Sequence, residues 1–366
     1  GFVLAALLWA CACMTRPDAL LPFAIASVHL AVREWRNGTT LRSAVLPWSL
    51  AFLALFGSYY AWRWTYYGYP FPNTFYVKQG DPSLVPHGIA YVRSYLVAHG
   101  IFPFVPVLWR LAVTRDERRD VLALLTGGYL AYVVWVGGDG LGHSRFMNHV
   151  APLLFLLVGD AWQALYDRAA VALPRLRARL LPVVCTIAVG AVLVLGAQGT
   201  TLTLLRAESR RWLEPQSGLV FPGRTQSEHA YTWFDNYFVA RQARAARWLD
   251  VQLPEGSLVA ATPAGSIAYH MKHRVLDMLG LNDLHIARTQ PGDVGHFRPG
   301  HMKGDGAYVL SRRPTAILMG NVAVLPQPLS AANLPQKLIR KSEHELWAEA
   351  RFHAEYDLVV VPLDDE

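Results

Sequence analysis

The chain has 366 residues, 53% of them hydrophobic and only 17% charged, with a formal net charge of +7. A soluble globular chain carries about a quarter charged residues, so this composition, with a mean hydropathy of +0.21, excludes an ordinary soluble enzyme and points to a membrane protein. Cys11, Cys13 and Cys185 all stand in apolar runs and read as small buried hydrophobes rather than as a disulfide or metal set.

Among the stretches of the first 205 residues that lack Asp, Glu, Lys and Arg are the apolar runs 1–14, 19–32, 43–62, 94–109, 121–138, 146–159 and 180–205. A spanning helix needs ~20 mostly apolar residues. By that measure 43–62, 121–138 and 180–205 have the length of spans, and the shorter runs reach it only with flanking polar residues. The fold class expected is a polytopic α-helical membrane domain of about seven spans over 1–206, followed by an extracytoplasmic α/β domain over 207–366. Gly1 stands inside an apolar run without the basic segment that opens a secretory signal. The chain therefore reads as a fragment whose membrane domain is incomplete at its N-terminus.

Alternation of the spans puts loops 33–42, 110–119 and 167–179 on one side with eleven arginines, among them Arg33, Arg115 and Arg175. The opposite loops hold five cations, Arg16, Arg63, Lys78, Arg93 and Arg145. The side richer in cations is cytoplasmic, which makes this a multi-pass protein of the cytoplasmic membrane with its C-terminal domain outside. The Trp and Tyr residues of 59–69 suit an aromatic belt at the outer interface. Cytoplasmic-loop arginines account for much of the basic balance, so nucleic acid is not expected as a partner.

Beyond 207 the pattern changes. Short apolar runs at 258–262, 275–279, 316–319 and 358–363, bounded by Pro, Gly or charge, read as strands. Helical candidates lie at 239–251 and 336–350. This alternation predicts a small, mainly parallel α/β domain.

Three polar segments fall in outer loops of this topology. The first is Thr15-Arg16-Pro17-Asp18, the second runs from Tyr69 to Lys78 through Pro70, Pro72 and Asn73, and the third is Gly137-Gly138-Asp139-Gly140-Leu141-Gly142-His143-Ser144-Arg145. Ionisable groups near a membrane are costly unless paired or functional. Glycines around Asp139 permit tight turns and close approach to a ligand. Asp139 suits sugar hydroxyls or a cation, while His143 and Arg145 suit a phosphate. The bland alternatives stay open: an Asp139–Arg145 pair, an Arg16–Asp18 ion pair with Pro17 in the first turn, and an interfacial loop with Lys78 reaching to water. No GxxxxGK[ST] spacing supports a nucleotide loop.

In the tail, Asp277, Asn282, Asp283, His285 and Arg288 follow an expected strand. Ligands of α/β sheets bind beyond the carboxyl ends of strands, so this is a candidate ligand surface; a turn closed by Asx hydrogen bonds is the competing reading. His270, His273, His296 and His301 are residue types that bind metals, but their spacing is not diagnostic of a site.

The Arg-Pro-Asp loop, the Pro-Asn-Thr-Phe-Tyr-x-Lys segment, the Gly-Gly-Asp…His-x-Arg-Phe loop and the run Val275-Leu276-Asp277-Met278-Leu279-Gly280-Leu281-Asn282-Asp283 stand in order along nearly the whole chain. Together they resemble bacterial GT-C membrane glycosyltransferases, the terminal arabinofuranosyltransferase family of mycobacterial cell walls in particular. The resemblance implies a polyprenyl-phosphate sugar donor, a glycan acceptor outside the cytoplasmic membrane and an inverting transfer. It also implies a catalytic Asp in a first outer loop, which lies upstream of Gly1 if the chain is a fragment. No base is therefore assigned, and Arg16, Asp18, Asn73, Lys78, Asp139, His143, Arg145, Asp277, Asn282 and Asp283 are taken as substrate-binding residues. The partners expected are the lipid bilayer, the donor and the acceptor glycan; no cofactor is assigned and divalent-metal dependence is open. A transporter or flippase, with internal repeats and interrupted helices, and a noncatalytic envelope scaffold are the competing classes.

Overall fold

The computed structural model describes residues 1–40, 43–78, 84–98, 102–113, 116–138, 145–172, 228–262, 264–292, 300–320 and 334–361. The chain divides into two compact units. The first is Gly1–Phe71, Val85–Asp139 and Ser144–Ala207; the second is Pro72–Leu84, Gly140–His143 and Glu208–Glu366.

Among the described residues of the first unit the apolar runs fold as helices, but the seven spans expected from composition are not found among them. Among the described residues one helix is long and apolar enough to cross a membrane, Val45–Tyr67. It comprises α3 (Val45–Phe52), a π-helical turn (Leu53–Gly57) and α4 (Ser58–Tyr67). The other runs fall short for separate reasons. Helix α1 (Phe2–Thr15) has 14 residues, about 21 Å at 1.5 Å per residue against a hydrocarbon core of about 30 Å. Helix α2 (Leu20–Arg36) carries Arg33, Glu34 and Arg36 in its last turn. Run 94–109 is split between the end of α6 (Leu84–Ala98), a 3-10 turn at Phe102–Phe104 and the nine-residue α7 (Val105–Val113), with Pro103 and Pro106 at the break. Helix α8 (Glu117–Trp135) spends its first turn on Glu117, Arg118, Arg119 and Asp120. Run 146–159 opens in a 3-10 turn, Arg145–His149, before α9 (Ala151–Ala172), and α9 carries Asp160, paired with Arg110 at 3.0 Å. Run 180–205 lies outside the described residues.

With the alternation of spans gone, the eleven-to-five count of cations no longer fixes an orientation. Arg115 and Arg175 also lie outside the described residues.

What holds this unit is helix packing. Ala6, Ala10 and Cys13 of α1 pack with Leu30 of α2 and with Trp48 and Phe52 of α3; Phe23 stacks on Phe52 with ring centroids 3.6 Å apart. A second cluster joins Tyr95, Tyr129 and Val133 to Phe146, Met147, Val150 and Leu154.

The second unit contains the parallel sheet. Strands β1 (Leu258–Ala261), β2 (Arg274–Asp277) and β3 (Ala316–Ile317) run in the order β2-β1-β3. The register runs from Leu258 opposite Arg274 to Ala261 opposite Asp277, and places Val259 opposite Ala316. Because alternate residues face opposite sides of a strand, β1 feeds two cores. Val259 and Ala261 pack with Ala246 and Leu249 of α10 (Glu228–Gln252) and Ile267 of α11 (Ala264–His270). Ala260, with Leu276 of β2, packs with Val309 and Leu310 of α12 (Gly306–Ser311), Leu346 of α13 (Lys341–Ala348) and Phe352 of α14 (Ala350–Glu355). The result is a three-layer α/β/α arrangement. Residues 358–361, expected as a fourth strand, join no ladder.

Two short pieces complete this unit around the carboxyl end of β2. Helix α5 (Asn73–Lys78) belongs to it rather than to the helices that precede it in sequence. The N-cap of α12 is Asp305, whose side chain accepts from the Tyr308 amide at 2.8 Å.

Candidate functional site

Beyond β2 the chain must reverse within a few residues. Asp277 closes the turn: its Oδ1 accepts from the Leu279 amide at 2.9 Å and its Oδ2 from the Asn282 amide at 2.8 Å. Only 2% of this residue is exposed, and burial pushes its carboxyl above the ordinary carboxylate range despite these hydrogen bonds. Gly280 sits at φ +83°, and a Cβ there would lie 2.6 Å from the Ala287 nitrogen, so a side chain is excluded on two counts. Asp283 Oδ1 then accepts from the amides of His285 and Ile286, both at 2.9 Å, and starts the 3-10 turn Ile286–Arg288.

Asn73 straps this turn from outside. Its Nδ2 donates to the carbonyls of Gly280 (2.7 Å), Leu281 (3.2 Å) and Asp283 (3.1 Å). Arg288 donates to Asn73 Oδ1 at 3.2 Å and to the Leu284 carbonyl at 2.8 Å, with its guanidinium 4.4 Å above the Tyr76 ring. The stem of Lys78 lies beside Gly300. Buried Lys303 donates to the Ala287 carbonyl at 2.6 Å; burial and the nearby Arg288 lower its pKa.

On the open side of the turn the polar groups are arranged differently. The His285 ring stacks on Tyr308, with centroids 4.1 Å apart and planes 15° from parallel. His285 Nε2 lies 2.8 Å from Asp305 Oδ2, with the two side chains 50% and 29% exposed. Tyr308 donates its hydroxyl to Asp283 Oδ2 at 3.0 Å and accepts from Arg312 at 3.1 Å. Although burial opposes its charge, hydrogen bonds from the Tyr308 amide and from His285 hold Asp305 below the ordinary carboxylate range. Asn282 is exposed beside this cluster. Two stacked rings, two carboxylates and an amide therefore share one open surface at the carboxyl end of the sheet, where α/β folds bind ligands.

The remaining expected residues are elsewhere. In the first unit, Arg16 grips Asp18 through both Nε and Nη2 at 3.0 Å, with Pro17 opening the short helical turn. Tyr129 donates to Asp18 at 2.8 Å, and the Arg16 guanidinium stands 5.5 Å from the Phe146 ring centroid. Burial opposes ionisation of Asp18, but the hydrogen bonds from Arg16 and Tyr129 keep its pKa low. Arg145 is exposed at the start of its 3-10 turn. Asp139 and His143 lie outside the described residues. A cleft of about 370 Å³ between α7 and α9 is lined by Arg110, Arg168, Asp160 and Asp167, and its central charges pair with each other.

Asp305 and Tyr308 escaped the sequence reading. The only local signal at Asp305 is an Asp immediately ahead of a helical stretch, which reads as a cap. Nothing in the sequence links it to His285, twenty positions earlier. Among the described residues no group of three or more His, Cys, Asp or Glu side chains is placed to hold a metal ion.

A family model described as "Domain of unknown function (DUF8728)" matches residues 232–360, which contain the sheet and the whole cluster from Asp277 to Tyr308. No curated protein and no solved structure matches the chain.

Proposed function

We propose that this protein is a membrane-bound glycosyltransferase that moves a sugar from a polyprenyl-phosphate donor to a glycan acceptor with inversion, and that the acceptor docks on the surface formed by Asn282, Asp283, His285, Asp305 and Tyr308. The observation that carries the proposal is that surface. A sugar ring offers an apolar C–H face and a rim of hydroxyls. The exposed His285 ring, backed by Tyr308, suits the face, while the Asp305 carboxylate and the Asn282 amide suit the rim.

Two further features support the reading. Only 11% of the apolar window of helix Val45–Tyr67 is buried, unlike the core helix of a globular domain. Leu46, Leu50 and Leu53 are exposed along it and Trp62, Trp64, Tyr66 and Tyr67 at its end, the distribution expected of a helix in lipid with an aromatic interfacial belt. A lipid-linked donor requires its enzyme at such an interface. The reaction class comes from the sequence resemblance to arabinofuranosyltransferases.

In this reaction the acceptor hydroxyl attacks the anomeric carbon and polyprenyl phosphate departs. Negative charge grows on the leaving phosphate, so a cation fixed beside it stabilises the transition state more than the ground state. Lys78, in the same unit as the acceptor surface, is the residue proposed for that role.

The test uses membranes containing the full-length protein, a polyprenyl-phospho-sugar with a radiolabelled sugar, and an acceptor oligosaccharide. Labelled glycan of inverted anomeric configuration is expected, with stoichiometric release of polyprenyl phosphate. Acceptor binding with no donor consumed, across a panel of sugars, would overturn the enzymatic reading in favour of a glycan-binding scaffold.

A further inference from the structure

Glycosyl transfer makes no use of the cleft of about 370 Å³ between α7 and α9, which lies wholly within the first unit. Arg110, Arg168, Asp160 and Asp167 line it together with Trp109 and Gln163, so its wall carries two charges of each sign.

Those four charges are not equally committed. Arg110 Nε meets Asp160 Oδ2 at 3.0 Å, and the buried Arg119 stands behind the same carboxylate with Nη1 3.9 Å away. Asp160 is thus held by two cations. Arg168, by contrast, has no carboxylate partner among the described residues; its guanidinium lies over the Trp109 ring, 5.1 Å from the centroid. Stacking occupies the face of a guanidinium and leaves its N–H donors at the edge. Asp167 accepts one hydrogen bond, on Oδ1 from Gln163 Nε2 at 3.0 Å. Asp167 Oδ2 and Gln163 Oε1 then remain as acceptors without a partner among the described residues.

We propose that this cleft binds the phosphoethanolamine headgroup of an aminophospholipid, with the phosphate on Arg168 and the ammonium between Asp167 and Gln163. The inference does not rest on glycosyl transfer: it concerns the first unit alone, and its test reads binding rather than turnover.

Each half of the headgroup has a matching partner. The planar guanidinium fork suits two phosphate oxygens, and Trp109 holds that fork in place. A primary ammonium carries three N–H donors, which the Asp167 carboxylate and the Gln163 carbonyl can accept. A trimethylammonium group has no N–H donor and favours an aromatic face, but Arg168 already lies over the Trp109 ring. A headgroup with only negative charge would set that charge beside Asp160 and Asp167. The neutral wall therefore complements a ligand whose own charges cancel. Apolar side chains exposed on the same two helices favour a lipid over a free headgroup. Val113 lines the cleft, and Leu108 on α7 and Leu165 and Val171 on α9 are exposed for the glycerol and acyl stems.

The experiment uses the full chain in detergent micelles and measures binding by native mass spectrometry. The probes are short-chain phosphatidylethanolamine, phosphatidylcholine and phosphatidylglycerol, and water-soluble glycerophosphoethanolamine. Wild type is expected to bind phosphatidylethanolamine at least ~10-fold more tightly than either other lipid, the size of one charge-assisted hydrogen bond. Arg168→Gln is expected to lose binding by a similar factor, and Arg168→Lys, which keeps the charge without the fork, to lose less. Asp167→Asn leaves the wall net positive and is expected to abolish the preference over phosphatidylglycerol. Equal binding of the ethanolamine and choline lipids by wild type, or a preference for phosphatidylglycerol, would overturn recognition of the zwitterion. Unchanged selectivity in Arg168→Gln and Asp167→Asn would overturn its placement in this cleft. Glycerophosphoethanolamine bound as tightly as the lipid would overturn the lipid as occupant in favour of a soluble phosphoethanolamine ester. Both substituted side chains are exposed, so wild-type melting temperatures are expected; if a variant fails to fold, the wild-type headgroup series decides.

Discussion

Replacing Asn73 tests how the candidate site is held, because one amide serves three carbonyls of the turn after β2. The Nδ2 group has two hydrogens and three acceptors at 2.7, 3.1 and 3.2 Å, so about two net hydrogen bonds are at stake, each worth about 1 kcal/mol. The donation from Arg288 to Oδ1 adds a charged hydrogen bond worth about 1.5–3 kcal/mol. Asn73→Ala is therefore expected to cost about 4 kcal/mol, roughly 8–16 °C in melting temperature for a unit of this size. The sharper variant is Asn73→Asp. It is nearly isosteric and keeps the acceptor for Arg288, yet sets a carboxylate oxygen against three carbonyl oxygens. It is expected to be at least as destabilising as alanine at pH 7 and to recover partly on acidification, when a protonated carboxyl can donate again. Thermal unfolding, with hydrogen exchange read over residues 279–286, supplies the measurement. An Asn73→Asp protein that melts within 2 °C of wild type at pH 7 would refute the strap.

Gly280→Ala combines a left-handed backbone, disfavoured by about 1–2 kcal/mol for an L-residue, with a Cβ 2.6 Å from the Ala287 nitrogen. A loss of at least ~2 kcal/mol by denaturant unfolding is expected, and a neutral result would mean that the 286–287 backbone moves freely. For Asp305 the pH sign follows from its lowered pKa: the stability it contributes is present above the unfolded-state value near 4 and is lost as pH falls through the lower folded value. Wild type should therefore lose more stability than Asp305→Asn between pH 5 and 3, and parallel curves would show that Asp305 is not held as an anion.

The sheet was legible because short apolar runs between Pro, Gly and charge leave few alternatives to buried strands. Residues 258–261 and 274–277 pair in register, whereas 358–361, equally apolar, have no ladder partner among the described residues. The seven spans were misread because freedom from charge is a statement about composition, not helix continuity. Pro103 and Pro106 interrupt one run, and α1 stops after 14 residues. Two further runs extend into helices carrying Asp120 and Asp160, and Asp160 finds a partner in Arg110. Such pairing across helices cannot be counted along a sequence.

The site divides along a different line, between polar residues that build the turn and those that face outward. Asp277 and Asn73 were singled out as ligand contacts, yet their hydrogen-bonding groups are directed at backbone, which is what a tight turn with buried amides and carbonyls requires. Asx chemistry after a strand is equally good at closing a turn and at holding a sugar, so residue type alone does not separate the two roles. Burial and partner count do. Asp277, 2% exposed, accepts only from buried turn amides, while His285, half exposed, has one nitrogen fixed by Asp305 and the other open. The rigidity supplied by Asn73, Gly280 and Asp283 thus has a direct consequence for chemistry: it holds the peptide from which His285 projects. On the proposed reading, loosening the strap should weaken acceptor binding even where the His285–Asp305 pair is intact.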